Sequence, residues 1–257
     1  MSSPAEAADA YRDLGDRVAV DDPASAEVAY RRALDFEPGL PDVYVRLAGT
    51  LIRLGRLCEA EGHLRAARAL DPRHEEAARL WADLLLARGR IVEAVECLAH
   101  CASSASPLLL TEYGDLLARI GLVEEARLAY GRALSAGECA ETRTNLGLLR
   151  LGLGDREGAL EEFERALELD GGACEAAVNR ANVLLELGRL DEAEVAIRVL
   201  VRSGESRAPA LWAQAALAEI RGAPAAAEAA RAEAARLWPA LQQLVPVPEP
   251  SAARTAG

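Results

Sequence analysis

NLGLLRLGLGDREGALEEFERALELD, residues 145–170, reads as two helices joined by a turn. Leu146, Leu149, Leu151 and Leu153 carry the first helix up to Gly154. Gly154 and Asp155 end it, because glycine accepts the positive φ that closes a helix C-terminus. Ala159, Phe163, Ala166 and Leu167 then stand at i, i+4, i+7 and i+8, the spacing of one face of a second helix. A turn this short makes the two helices antiparallel neighbours.

The stretch is one copy of several. Turn glycines stand at Gly55, Gly89, Gly121, Gly154, Gly188 and Gly222, separated by 34, 32, 33, 34 and 34 residues. Each is followed five residues later by alanine: Ala60, Ala94, Ala126, Ala159, Ala193 and Ala227. Ala26 extends the series one step back, with Asp21 in the place of the glycine. A period of this size means stacked supersecondary units. The second helix also repeats a size code. Four residues after the first alanine comes a large residue (Tyr30, Leu64, Leu98, Tyr130, Phe163, Ile197, and Arg231 as the exception). Seven after it comes a second small one (Ala33, Ala67, Cys101, Ala133, Ala166, Ala234), with Leu200 as the exception. Small residues let two helix backbones approach, and the large one fills the groove between them. Pro38, Pro72 and Pro239 close three units where a helix must stop.

With these features in place, DVYVRLAGTLIRLGRLCEAEGHLRAARALDP, residues 42–72, resembles the tetratricopeptide repeat almost throughout. The resemblance implies an all-α fold, a right-handed α-α superhelix (solenoid) of about seven helix-turn-helix units. The expected units are residues 5–40, 41–74, 75–106, 107–139, 140–173, 174–207 and 208–241, in an array over 1–244. The first of them lacks one residue between Leu14 and Ala26, and the third ends two residues short, at 103–106. The seventh is alanine-rich and places Arg231 at a core position, which suits an end cap facing water. Residues 245–257, VPVPEPSAARTAG, are rich in proline and small residues and are expected to be disordered.

Composition narrows the function classes. Apolar residues make up 51 % and aromatics 4 %, which suits helix packed on helix. With 41 acids, 29 bases and a net charge of −12, the surface repels phosphate backbones and anionic membranes, so neither nucleic acid nor membrane is an expected partner. All the basic residues are arginine, which reads either as coding bias or as a choice for bidentate carboxylate contacts. The first residues, MSSPAEAADAYRDLG, have neither a positive start nor an apolar stretch, and a cytoplasmic location is expected. Five cysteines without paired spacing fit a reducing compartment.

The resemblance places ligand contacts on the first helices, which line the concave side of such arrays. Nine residues before each turn glycine lie Arg46, Leu80, Glu112, Asn145, Asn179 and Ala213; six before it lie Gly49, Asp83, Asp115, Leu148, Asn182 and Ala216. Ten before it lie Val45, Arg79, Thr111, Thr144, Val178 and Trp212. Asn145, Asn179 and Asn182 look like the asparagine ladder of sugar-transferase superhelices, which grips peptide main chains. Asparagine offers donors and an acceptor, and it costs several tenths of a kcal/mol inside a helix. The other reading is that these amides bond to neighbouring helices and set the repeat spacing. Arg79, Arg119 and Trp212 are taken as supporting contacts. Lysine is absent and acids interleave the arginines, so a carboxylate clamp of the chaperone-binding type is not expected.

Cys97, His100 and Cys101 sit close in sequence, but Cys101 stands where other repeats have alanine, and small core residues are the better reading. No phosphate loop, paired catalytic carboxylates or nucleophile motif is present, so neither a catalytic role nor a cofactor or metal is expected. The expected function is a protein-interaction adaptor or scaffold holding a peptide or partner segment in the concave groove. Two alternatives stand beside it. One is self-association through end faces such as the alanine-rich last unit; the other is service as an accessory or targeting subunit of a transferase or secretion complex.

Overall fold

The computed structural model describes residues 3–102, 106–203 and 207–238. Among them are fourteen α-helices and no strand, in two compact units, Met1–Ala136 and Gly137–Gly257. The first unit holds α1 (Pro4–Val18), α2 (Pro23–Phe36), α3 (Pro41–Arg53), α4 (Leu57–Leu70), α5 (Glu75–Ala87), α6 (Ile91–Cys101), α7 (Pro107–Arg119) and α8 (Val123–Ala136). The second holds α9 (Ala140–Gly152), α10 (Arg156–Leu169), α11 (Cys174–Glu186), α12 (Leu190–Ser203), α13 (Arg207–Ile220) and α14 (Pro224–Leu237). Residues 245–257, with the tail expectation they carry, lie outside the described residues.

Each turn after α3, α5, α7, α9, α11 and α13 is closed by the same device. The six turn glycines have φ between 72° and 82°. At Gly55 the glycine N–H donates to Ile52 O at 2.9 Å and the next N–H, of Arg56, reaches Leu51 O at 2.9 Å. This pair of bonds satisfies carbonyls that the helix end would otherwise leave open. It recurs at Gly89, Gly121, Gly154, Gly188 and Gly222. The turn between α1 and α2 is built differently. No non-glycine residue among those described has positive φ; instead Asp22 caps α2, its carboxylate accepting from Ser25 N at 3.1 Å.

The size code becomes the core. Ala26, Ala60, Ala94, Ala126, Ala159 and Ala193 are wholly buried, and the large residues four positions later are at most 3 % exposed. The large residue is matched to a position on its own first helix. Tyr130 and Phe163 lie against Gly114 and Gly147, sixteen residues earlier, so closely that a Cβ on either glycine would come within 2.6 Å of the ring. Tyr30 does the same to Gly15 at 2.5 Å, fifteen residues earlier, which accounts for the residue missing from the first repeat. Where the large residue is Leu64, Leu98 or Ile197, the matching position holds Ala48, Ala82 or Ala181. A ring over glycine and a branched aliphatic side chain over alanine thus fill the same place between the two helices.

Two departures carry charge inward. On α9, Arg150 takes the place that holds Leu51, Leu85, Leu117 and Leu184 on other first helices, and Arg143 the place of Leu110 and Leu211. Both bind Glu162 of α10, at 2.7 Å from Arg143 and 3.1 Å from Arg150. Glu162 is 5 % exposed, so this carboxylate needs both partners to offset its desolvation. On α14, Arg231 does not face water as an end cap would. It lies over the Trp212 ring, 6.0 Å from the centroid, and ion-pairs with Glu219, because the indole offers a cation the electron-rich face that a leucine would otherwise fill.

Candidate functional site

In the first unit the first helices present charges that largely satisfy one another. Arg46 on α3 pairs with Asp16 of α1 at 2.9 Å, and the same carboxylate oxygen accepts from the Tyr30 hydroxyl at 2.8 Å. Arg79 on α5 donates to Glu76 at 3.0 Å and lies 3.9 Å from Asp83. Asp115 on α7 accepts from the Tyr130 hydroxyl at 2.6 Å. Arg79 and Arg119 line one notch of about 190 Å³ with Asp83, Glu112, Asp115 and Leu116. Arg119 is exposed and makes no ion pair among the described residues. Partial burial pushes the Glu112 and Asp83 carboxyls above the usual carboxylate range, opposed by Arg79. Burial, then the bonds to Asp115 and Asp16, push the Tyr130 and Tyr30 hydroxyls up.

In the second unit the corresponding faces carry amides and apolar groups. Asn145 on α9 is half-buried and already has an interaction partner. Asn179 and Asn182 share one face of α11, three residues apart; Asn179 is half-buried and Asn182 exposed. Neither makes a side-chain hydrogen bond among the described residues. On α13 the equivalent places hold Ala213, buried, and Ala216, half-buried, so the amide row stops there. Trp212 is half-buried beneath Arg231, and its indole N–H is buried without an acceptor among the described residues. The structure thus brings Arg79 and Arg119 to one notch and Asn179 and Asn182 to one helix face, with Asn145 at the equivalent position of α9.

Cys97 and Cys101 are buried core residues whose thiols donate to Ala78 O and Pro72 O, each at 3.6 Å. Burial pushes the Cys97 thiol up to about 11, so it stays a thiol at neutral pH. Sequence reasoning missed the Arg143–Glu162–Arg150 cluster and a cleft between α12 and α13. The signal for both was present four residues before the turn glycine. There Arg150 and Ala218 break a row otherwise made of Leu51, Leu85, Leu117 and Leu184.

The tetratricopeptide repeat family model matches residues 17–80 and 150–220, together more than half of the chain. Among solved structures, a tetratricopeptide repeat protein from Parabacteroides merdae is 16 % identical, with 90 % of this chain and 93 % of that chain covered and a TM-score of 0.65. PilW, described as a widely conserved type IV pilus biogenesis factor, is 20 % identical over 79 % of this chain and 96 % of its own, with a TM-score of 0.67. Pseudomonas aeruginosa pilF is 22 % identical over 92 % and 94 %, with a TM-score of 0.52. At these identities the likeness is one of fold. The family match, the six identical turns and the alanine code agree: the chain belongs to the tetratricopeptide repeat family.

Proposed function

We propose that the chain is a non-catalytic interaction module that holds an extended peptide, or a segment of a partner protein, along its first-helix faces. The observation that carries this reading is the pair Asn179 and Asn182. Two amides stand in a helix interior, where asparagine is disfavoured, and neither is spent on a neighbouring helix. Together they offer donors and acceptors suited to a peptide main chain. Asn145 extends the row within the second unit, where the uncovered part of Trp212 adds side-chain selectivity; in the first unit Arg79 and Arg119 offer a charged notch of their own. Among the described residues no helix is long and apolar enough to cross a membrane.

Titration of the protein with a peptide selected against it tests the placement. Each of Asn179→Ala and Asn182→Ala is expected to weaken binding by ~1 kcal/mol, the worth of a neutral hydrogen bond. Unchanged affinity in the variant lacking Asn145, Asn179 and Asn182 together would remove the peptide from this face.

A further inference from the structure

A cleft of about 390 Å³ opens between α12 and α13, inside the ~300–1,000 Å³ range of ligand pockets. It exists because the repeat code lapses there. Eight and four residues before the turn glycine, α3 has Leu47 and Leu51, α5 has Trp81 and Leu85, and α7 has Tyr113 and Leu117. On α13 these places hold Gln214 and Ala218. The floor is apolar, made by Ile197, Val201, Leu217 and Ala218.

The rim is cationic on a chain of net charge −12: Arg198, Arg202 and Arg221 line it against one lining acid, Glu194. Arg198 and Arg221 both bind Glu194, and Arg221 also reaches Asp191 at 3.0 Å. Two rim groups remain unspent. Arg202 is exposed without an ion pair, and Gln214 is exposed without a side-chain hydrogen bond, among the described residues.

We propose that this cleft is a second recognition site, for a segment of a partner protein that carries a leucine-sized apolar side chain beside a carboxylate. The apolar side chain takes the place vacated at Ala218, the acid meets Arg202, and the Gln214 amide bonds the segment's main chain. The site is separate from the asparagine face. Gln214, Leu217, Ala218 and Arg221 keep the i, i+3, i+4, i+7 spacing of one helix face, and Ala213 and Ala216, the equivalents of Asn179 and Asn182, lie on another.

Random peptides displayed on phage, selected on the full chain and then titrated by fluorescence anisotropy, test the assignment. Enriched peptides are expected to join Leu, Ile or Phe to Asp or Glu. Ala218→Leu, which fills the cleft, is expected to weaken them by on the order of tenfold or more and to raise Tm, so that blocked binding is distinguished from unfolding. Arg202→Glu should weaken the same peptides but not versions with Asn or Gln for the acid. Asn179→Ala and Asn182→Ala should leave them unchanged, and peptides lost on those variants report on the asparagine face instead. Enriched peptides indifferent to both Ala218→Leu and Arg202→Glu overturn the site. A dimer in sedimentation that Ala218→Leu abolishes gives the cleft to a second copy and overturns the partner. Binding seen only after removal of residues 241–257 gives it to the chain's own terminal stretch, with the same consequence.

Discussion

Tyr130 in the first unit and Phe163 in the second stand at the same place in their repeats, nine residues after the turn glycine, each with its ring laid on a glycine of the preceding helix. The neighbour of that glycine differs. Next to Gly114 is Asp115, whose carboxylate takes the Tyr130 hydroxyl; next to Gly147 is Leu148, and Phe163 has no hydroxyl to place. Tyr30, Gly15 and Asp16 repeat the first arrangement. A polar group enters this packed layer only with its partner, as desolvation requires. Through that rule the second helix sets the chemistry of the first. In the first unit it tethers the carboxylates Asp16 and Asp115, and Asp16 also holds Arg46. In the second unit it leaves the first helices free to carry leucine and unspent amides.

The largest expected effect breaks the packing common to both. Gly147→Ala puts a methyl into the Phe163 ring and should cost about 2–3 kcal/mol in urea unfolding. Adding Phe163→Leu should recover most of it, since leucine over alanine is what Ala48 and Leu64 already do. A neutral Gly147→Ala would show that ring and glycine are not coupled.

Next comes an exchange of chemistry between the units. Phe163→Tyr buries a hydroxyl beside Leu148 and should destabilise by about 2 kcal/mol. Leu148→Asp in the same chain should restore stability, and a double variant no better than the single one would end the proposed coupling. The reverse change, Tyr130→Phe, removes a bond to a carboxylate and should cost about 1.5 kcal/mol in the same measurement.

The smallest effect concerns the charged notch of the first unit. The Glu112 carboxyl binds its proton more tightly folded than unfolded. Its contribution is therefore full at acid pH and is lost as pH rises through the folded-state value. Glu112→Gln should raise Tm by roughly 1–2 °C at neutral pH, and the gain should vanish below about pH 4. A gain that persists in acid would mean that burial of the charge is not its source.

The fold was legible because its rules are local and repeat. A glycine at positive φ, an alanine five residues on and a large residue four further each act within one repeat, and the period exposes them. The match between Gly147 and Phe163 was within reach too, but it needs two helices read against each other. What the sequence could not show is whether a polar group is already spent. Asn145 and Asn179 look alike at equivalent positions, yet one has a partner and the other makes no bond among the described residues. Arg231 looked like a solvated cap because a hydrophobicity pattern does not include the attraction of a guanidinium for an indole. Arg150 was hidden because the size code was traced along second helices only.

The seating of rings on glycines also constrains how such repeats diverge. A copy with alanine and leucine, such as Ala82 and Leu98, cannot accept an aromatic side chain as its first change, because the methyl blocks the ring. Alanine must be lost first, at the modest expense of a methyl-sized void, and only then does the larger side chain fit. Once the ring is in, return to alanine is barred. At Gly15, Gly114 and Gly147 the missing methyl is therefore the condition for the ring, and neither member of the pair can be exchanged without regard to the other.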